Sequence, residues 1–249
     1  MENGHAPLRK VHFFLNSKGG VGKSVGCVVV TQGYHQRGLP VKAFDADAMS
    51  ATFSSFPALN VTRIPLMDGD AIDPRQFDAM LEPILTEDSN FVVDTGASSF
   101  VELNRYFLRN DVPGMIDQAG NILVANVIIV GGAMFAETCN NLESIACQMP
   151  PQVEIVVWLN EHFGPVRHNG KAFEEMEFYK KHRDRITGLV ALPDWTYTDQ
   201  ATFGVDMQHM MKAGLTFAEV RTSPDFTLMS KSRLHRIERD IQGKLALVM

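Results

Sequence analysis

A glycine-rich stretch with two lysines and a serine lies near the start of this 249-residue sequence and reads Ser17-Lys-Gly-Gly-Val-Gly-Lys-Ser24. It follows an apolar run, residues 11–16, that predicts a strand, and it precedes a helical pattern. Glycines allow backbone N–H groups to turn inward around an anion, and a helix N-terminus adds partial positive charge. A lysine can pair with phosphate oxygens, and a serine hydroxyl can coordinate Mg²⁺. The stretch therefore predicts a loop that binds nucleotide phosphates.

The loop departs at one position from the general pattern G-x-x-x-x-G-K-[ST], because Ser17 stands where that pattern has its first glycine. Lys23 is predicted to pair with the β- and γ-phosphates, and Ser24 to coordinate Mg²⁺. The predicted phosphate-binding residues, called the phosphate loop below, are Ser17, Lys18, Gly19, Gly20, Val21, Gly22, Lys23, Ser24 and Val25.

Three aspartates follow two further apolar runs. Asp45 and Asp47 come at the end of run 41–45, and Asp94 ends run 91–94. Carboxylates at the carboxyl ends of strands can hold Mg²⁺ and orient water beside a phosphate. Taken alone, the Asp-x-Asp pair is also typical of a turn, and Asp94 could cap the next helix. Both readings stay open at this stage.

The elements that must position these residues alternate along the chain. Strands are predicted at 11–16, 41–45, 91–94, 122–130, 153–160 and 186–192, and most are continuously apolar, as in parallel strands covered on both faces. Helical patterns lie between them, including 23–37, which ends at Gly38. This alternation predicts an α/β fold with a doubly wound, mostly parallel sheet flanked by helices, and ligands at the carboxyl ends of the strands.

The net charge of −6 is concentrated in one segment, because residues 68–88 contain seven acidic residues and one arginine. Asp73 and Pro74 predict a helix start there, and Pro83 is expected to kink or end that helix. The segment is interpreted as an exposed helix, with a partner-docking surface as the alternative. Acidity of this local kind does not exclude a phosphate ligand elsewhere in the chain.

The three cysteines, Cys27, Cys139 and Cys147, form no C-x-x-C pair, so a disulfide framework or zinc site is not predicted. Residues 1–10 lack the apolar core of a signal peptide, and run 122–130 is too short to span a bilayer. A cytoplasmic location is expected.

We expect one domain over residues 1–249, with 225–249 as a C-terminal helical extension. Residues 231–244 of that extension carry five bases and two acids beside an apolar face. The favoured interpretation is a helix docked on the sheet with its bases in water. Binding to nucleic acid, or peripherally to the inner membrane, is the alternative.

The segment Lys18-Gly-Gly-Val-Gly-Lys-Ser24 resembles the deviant Walker A motif of the ParA/MinD ATPases. The resemblance implies that Lys18 reaches the partner's phosphates across a nucleotide-sandwich homodimer. It also implies that Asp47 orients the attacking water, that Asp45 lies near the Mg²⁺ shell and that Asp94 holds Mg²⁺. Gly96 departs from the proline or alanine often found two residues after that last aspartate.

The same resemblance implies that Asn160 and Pro193 contact the adenine base, because they stand at the positions that do so in the family. A narrower resemblance is to the TraL-type ATPases of conjugative plasmids. It lies in stretches without general catalytic meaning, among them Ala51-Thr-Phe53, Leu59-Asn-Val-Thr62, Met67-Asp-Gly-Asp70, Asp73-Pro-Arg75, Val157-Trp-Leu-Asn-Glu161 and Leu215-Thr-Phe217.

Together these resemblances imply an ATPase with ATP and Mg²⁺ as ligands and nucleotide-dependent dimerisation as its output. The implied setting is plasmid conjugative transfer or maintenance, with relaxosome proteins, secretion-system proteins or DNA as partners. One alternative is a metabolic ATP-dependent ligase of the dethiobiotin-synthetase type, and another is a DNA-partition or membrane-positioning ATPase. An iron-protein-type reductase is disfavoured, because Cys139 and Cys147 do not directly follow strands.

Overall fold

The computed structural model describes residues 9–192, 200–246 and 248–249. Its strands are β1 Arg9–Phe14, β2 Val41–Ala46, β3 Thr62–Arg63, β4 Met67–Asp68, β5 Ala71–Ile72, β6 Asn90–Thr95, β7 Asn121–Val130, β8 Glu154–Asn160, β9 Arg167–His168, β10 Lys171–Ala172 and β11 Ile186–Leu192. Its α-helices are α1 Lys23–Gln36, α2 Asp78–Thr86, α3 Phe100–Arg109, α4 Val112–Gln118, α5 Phe135–Gln148, α6 Glu177–His182, α7 Val205–Ala213, α8 Phe217–Thr222 and α9 Leu228–Leu245.

Seven of these strands form one parallel sheet in the order β11-β8-β7-β1-β6-β2-β3. After β1 the chain first builds the half that contains β2 and β6, and it then crosses to β7 on the other side of β1. The strand order therefore reverses beside β1, and the loop after β1 opens at this switch point. The neighbouring register pairs Asp45 of β2 with Asp94 of β6. The predicted parallel α/β sheet is confirmed.

Helices cover both faces of the sheet. The apolar residues of α2, α3, α4 and α5 pack on one face, in a cluster with Val11 and Phe13 of β1. The apolar residues of α1, α7, α8 and α9 pack on the other face, in a cluster with Phe14. Because successive side chains of a strand point to opposite faces, β1 contributes to both clusters and is held from both sides.

The acidic segment differs in part from its prediction. It begins with an antiparallel β4–β5 hairpin, continues as a 3₁₀ turn after Asp73 and ends in α2. Pro83, which was expected to kink or end the helix, lies inside α2, which continues to Thr86. Met80, Leu81 and Ile84 are buried along this helix, so packing outweighs the hydrogen bond that proline removes.

The C-terminal helix α9 docks as the favoured interpretation predicts. Leu234, Ile237 and Ile241 are buried in the cluster that also contains α1. Gln242 Nε2 donates to the carbonyl of Val29 on α1 at 3.1 Å. Within the described ranges, no helix combines the length and apolar character needed to span a bilayer.

A chain of buried polar side chains runs across the centre of the sheet. Trp158 Nε1 donates to Asn126 Oδ1 at 3.0 Å, and the Asn126 amide lies 3.3 Å from His12 Nδ1. His12 Nε2 lies 2.8 Å from the Tyr34 hydroxyl. Since the Asn126 oxygen is used as an acceptor, its amide donates to Nδ1, and His12 then carries its proton on Nε2. This neutral tautomer satisfies both ring nitrogens.

Burial, with a smaller contribution from Lys10, lowers the pKa of His12 to about 3. The unfolded chain takes up a proton at His12 near pH 6.5, whereas the native protein does not, so stability falls as the pH drops from about 6.5 towards 3. Between pH 7.5 and pH 5, we expect the unfolding free energy of the wild type to fall by about 2 kcal/mol more than that of His12→Gln. Urea denaturation at both pH values measures this, and exposed His35→Gln is the control. Equal pH dependence in the wild type and His12→Gln would contradict it.

Candidate functional site

The phosphate loop leads from β1 into the first turn of α1. Gly22 precedes the helix with φ of 103° and Gly20 has φ of 74°, values that side-chain-bearing residues rarely adopt. Lys23 and Ser24 are therefore the first residues of α1, where backbone N–H groups have no intrahelical acceptor. The observed geometry is that of an anion site at a helix N-terminus.

Two asparagines fix the start of this loop. Asn16 donates to the carbonyl of Ile128 on β7 at 2.8 Å and accepts from the backbone N–H of Lys18 at 3.0 Å. Asn141 of α5 donates to the carbonyl of Leu15 and accepts from the N–H of Ser17, both at 3.2 Å. Both side chains are buried. Neither asparagine was predicted from the sequence, although a polar residue between strand and loop was a usable signal for Asn16.

The two loop lysines have different surroundings. Lys23 is buried, and its Nζ donates to the carbonyl of Lys18 at 3.0 Å. Burial lowers the pKa of Lys23, while the charges of Asp94 and Asp47 act in the opposite direction. The Lys18 side chain is partly exposed, and its Nζ lies 3.0 Å from Glu137 Oε2 of α5. Lys23 is thus directed towards the carboxylates, and Lys18 towards α5.

Asp94 is a buried carboxylate with unsatisfied hydrogen-bonding capacity. It is 1% exposed, and its Oδ1 has no hydrogen-bond partner among the described residues. Burial raises the pKa of Asp94 to about 7, with smaller opposing contributions from Ser24 and Lys23. A buried carboxylate oxygen without a partner is costly, and a bound cation would offset that cost.

Asp45 and Asp47 differ in their burial and in their hydrogen-bond partners. Asp45 is fully buried, and its two oxygens accept the backbone N–H groups of Asp47 at 3.2 Å and Ser54 at 2.8 Å. It braces the loop after β2, and its membership of a metal shell stays a prediction. Asp47 is half-buried, accepts from the N–H groups of Met49 and Ser50, and faces an open cavity.

That cavity has a volume of about 540 Å³ and lies between the phosphate loop and the loops after β2 and β6. It brings together predicted residues from two distant parts of the sequence. Its lining, among the described residues, consists of Gly19, Gly20, Gly22, Lys23, Ser24, Val25, Asp47, Met49, Ser50, Thr52, Ala97 and Ser98.

A second cavity of about 220 Å³ shares a wall with the first and is predominantly apolar. Its described lining is Gly20, Gly22, Val25, Asn160, His162, Phe163, Leu192, Gly204, Met207 and Gln208. Val21 does not line either cavity within the described residues, but its carbonyl accepts from Asn160 Nδ2 at 2.9 Å. Asn160 therefore lies at this cavity and also braces the phosphate loop. Pro193 lies outside the described residues.

The oxygen ligands present fit Mg²⁺ bound together with phosphates. In the part of the chain that the structure describes, no three histidine, cysteine or carboxylate side chains are grouped to hold a metal ion by themselves. Ser24 does lie close enough to the Asp94 carboxyl to lower its pKa, however, and Asp94 Oδ1 has no partner among the described residues. Mg²⁺ commonly takes few protein oxygens and completes its shell with water and substrate phosphates.

Comparison with known proteins agrees with this geometry. Residues 12–198 match the model of the family described as CobQ/CobB/MinD/ParA nucleotide binding domain. The chain belongs to this family. Two Escherichia coli proteins named TraL are 34% and 35% identical to it over 238 residues, which cover 96% of this chain and 98% of each relative.

Solved structures of this family share the fold at low sequence identity. A chain of the MinC:MinD cell division protein complex of Aquifex aeolicus matches with a TM-score of 0.52 and 11% identity, over 94% of this chain and 96% of that one. A ParA family ATPase of Chlorobium tepidum matches with a TM-score of 0.50 and 14% identity, over 93% of this chain and 98% of that one. These likenesses support the fold only.

Gly96, the departure noted in the sequence, packs against Asp47. A Cβ atom added at Gly96 would lie 2.5 Å from Asp47 Oδ1 and 3.2 Å from the Asp47 Cα. Both distances are shorter than ordinary van der Waals contact, so an alanine would have to displace the Asp47 carboxylate. The structure therefore gives a steric reason for glycine where the resemblance implies proline or alanine.

On the role that the ParA/MinD resemblance implies for Asp47, we predict that Gly96→Ala lowers ATP turnover at least tenfold, towards the rate of Asp47→Ala, while ATP affinity changes less than threefold. The reason is that Asp47 would move but the phosphate loop would not. Phosphate release and titration with a fluorescent nucleotide measure the two quantities. Gly243→Ala is the control, because Gly243 lies in α9 and a Cβ there meets no atom within 4 Å. Equal turnover in Gly96→Ala and the wild type would contradict the prediction.

Proposed function

We propose that this member of the family is an Mg²⁺-dependent ATPase. It dimerises around two ATP molecules and hydrolyses them slowly. The observation that carries the proposal is that Lys23, Ser24 and Asp47 line one cavity of about 540 Å³ and all three act on the buried carboxyl of Asp94, whose Oδ1 has no partner among the described residues. A cation, a hydroxyl and carboxylates around a helix N-terminus form a site for a phosphate chain and its metal.

Each residue has a defined part in this proposal. Lys23 neutralises the charge of the β- and γ-phosphates, and the N–H groups of the loop surround them. Ser24 and Asp94 hold Mg²⁺, which supplies charge neutralisation between the phosphates when bound. Asp47 orients the attacking water. The neighbouring apolar cavity takes the base, with Asn160 at its edge.

Lys18 is assigned a role outside its own nucleotide site. Among the described residues that line the cavity of about 540 Å³, Lys23 is present and Lys18 is not. A lysine of the loop that faces away from its own site is suited to stabilise phosphate charge in a second chain, as an arginine finger does. This supports a dimer in which each Lys18 contacts the partner's nucleotide.

The biological output proposed is a nucleotide-dependent interaction in plasmid conjugative transfer or plasmid maintenance. Similarity to proteins named TraL over 96% of this chain supports this setting. The partners proposed are relaxosome or secretion-system proteins, with DNA as an alternative, in a cytoplasmic location. Residues 225–249 are proposed to extend one nucleotide-binding domain rather than to form a second one.

The test is ATP turnover and ATP-dependent association of the wild type, Lys18→Ala and Asp47→Ala. We expect the wild type to dimerise with ATP and release phosphate. Lys18→Ala is expected to bind ATP but not to dimerise, and Asp47→Ala to dimerise without turnover. Sedimentation velocity and a phosphate-release assay provide the two readouts. A wild type that remains monomeric with ATP, or forms a product only with a carboxylate acceptor, would overturn the proposal.

Binding assays with and without ATP distinguish a protein partner from DNA and from a membrane. The expected result is that ATP changes binding to transfer proteins while DNA mobility and vesicle flotation stay unchanged. Salt titration of the DNA assay reports phosphate contacts, because their contribution falls steeply with ionic strength. If ATP instead increases binding to DNA or to anionic vesicles, the partner is DNA or a membrane and not a transfer protein.

A further inference from the structure

Lys18 is held within its own chain at both ends. Its carbonyl oxygen accepts a hydrogen bond from Lys23 Nζ at 3.0 Å. Its own ammonium lies 3.0 Å from Glu137 Oε2. The first contact belongs to the phosphate loop itself. The second joins the loop to a helix more than one hundred residues further along the chain, and the proposed function does not use it.

The position of Glu137 is fixed by α5. Glu137 lies in the first turn of this helix, where a negative charge is favourable. Asn141, one turn later, lies on the same side of the helix and binds Leu15 and Ser17 directly before Lys18. Asn141 is buried, so this face of α5 is tied to the start of the loop. Glu137 therefore has a defined place beside Lys18.

The ion pair is weak enough to break. The side chains of Lys18 and Glu137 are 40% and 49% exposed, so water screens their attraction. Exposed pairs of this kind change an equilibrium by no more than about fivefold. Such a contact biases where the Lys18 ammonium lies but does not prevent it from leaving.

We propose that Glu137 is a positioning residue that holds Lys18 on its own chain and thereby opposes nucleotide-dependent dimerisation. This inference rests on the proposed function, in which Lys18 contacts the partner's nucleotide. One ammonium cannot lie at Glu137 and at a phosphate of the second chain at the same time. Association therefore has to break the intrachain pair in each protomer.

The test compares Glu137→Gln with Glu143→Gln. Glu143 is the matched control, because it lies on the same helix and pairs with another lysine, Lys181. The first readout is the rate at which Lys18 is acetylated by acetic anhydride in the nucleotide-free protein, followed by mass spectrometry. The second is the dimer dissociation constant with Mg²⁺ and AMPPNP, measured by sedimentation at 150 mM salt.

In Glu137→Gln, we expect acetic anhydride to acetylate Lys18 at least twofold faster, and the dimer dissociation constant to be about two- to fivefold lower. Glu143→Gln should match the wild type in both. The sign is informative, because loss of a merely structural contact would weaken association. Unchanged acetylation, or unchanged or weaker association, would overturn the inference. If the wild type itself fails to dimerise with AMPPNP, the proposed function fails, and a faster acetylation in Glu137→Gln would still locate Lys18 at Glu137.

Discussion

Replacement of Lys23 by alanine is expected to lower ATP turnover about 10²–10³-fold. Lys23 is 7% exposed and is the buried cation of the cavity that Asp47 lines and Asp94 adjoins. Alanine removes the charge that would face the phosphates and leaves two carboxylates whose repulsion of an anionic ligand is no longer offset. The carbonyl of Lys18 also loses its donor, so the loop loses one internal contact.

Turnover and affinity should both fall in this variant, because Lys23 contacts the bound phosphates in the ground state and stabilises their charge more strongly in the transition state. Phosphate release and calorimetric titration with AMPPNP measure them. Lys42→Ala is the matched control, since Lys42 is a half-exposed lysine at β2 that pairs with Glu87. If Lys23→Ala binds and hydrolyses ATP as the wild type does, the assignment of the phosphate site is wrong.

Replacement of Asp94 by asparagine is expected to have opposite effects on activity and stability. Turnover should fall about 10²-fold or more, because the amide is a poor Mg²⁺ ligand beside Ser24. The nucleotide-free protein should become more stable by about 1–2 kcal/mol, because a buried carboxylate with an unpaired oxygen is replaced by a neutral group. Lower activity together with higher stability is typical of a substitution at a functional residue that destabilises the ligand-free protein.

The matched control is Asp45→Asn, the neighbouring carboxylate in the sheet. Both of its oxygens accept backbone N–H groups, so an amide would place an NH₂ group against one of them. We expect this variant to lose about 1–3 kcal/mol of unfolding free energy. Urea denaturation without nucleotide compares the two. If Asp94→Asn destabilises the protein as much as Asp45→Asn, then Asp94 has a structural role and is not a metal ligand.

The elements that carry the site could be read from the sequence because their signals are local. Continuous apolar runs predicted the main strands, and the strand 186–192 has the predicted bounds. The glycines, the two lysines and Ser24 are contiguous, so a loop that opens a helix was evident from composition and order alone. In α2, by contrast, burial of one face overrode the local effect of Pro83.

The roles of the three aspartates were not decided by local pattern. Each lies at the end of a buried strand or just after it, yet Asp45 is satisfied by backbone N–H groups, Asp47 faces the cavity and Asp94 Oδ1 has no partner among the described residues. These differences arise from strand register and from how the following loops fold back. Neither is encoded in the spacing of the aspartates.

By itself, therefore, the sequence determined the strand–loop–helix proposed to bind phosphate and the parallel sheet that presents it, since both depend on neighbouring residues and on apolar periodicity. Only the tertiary structure decided that Asn141 and Glu137 hold the loop from α5, and that Gly96 makes room for Asp47. Those contacts join residues far apart in the chain. Their distances depend on how helices and loops pack against the sheet, which no local pattern specifies.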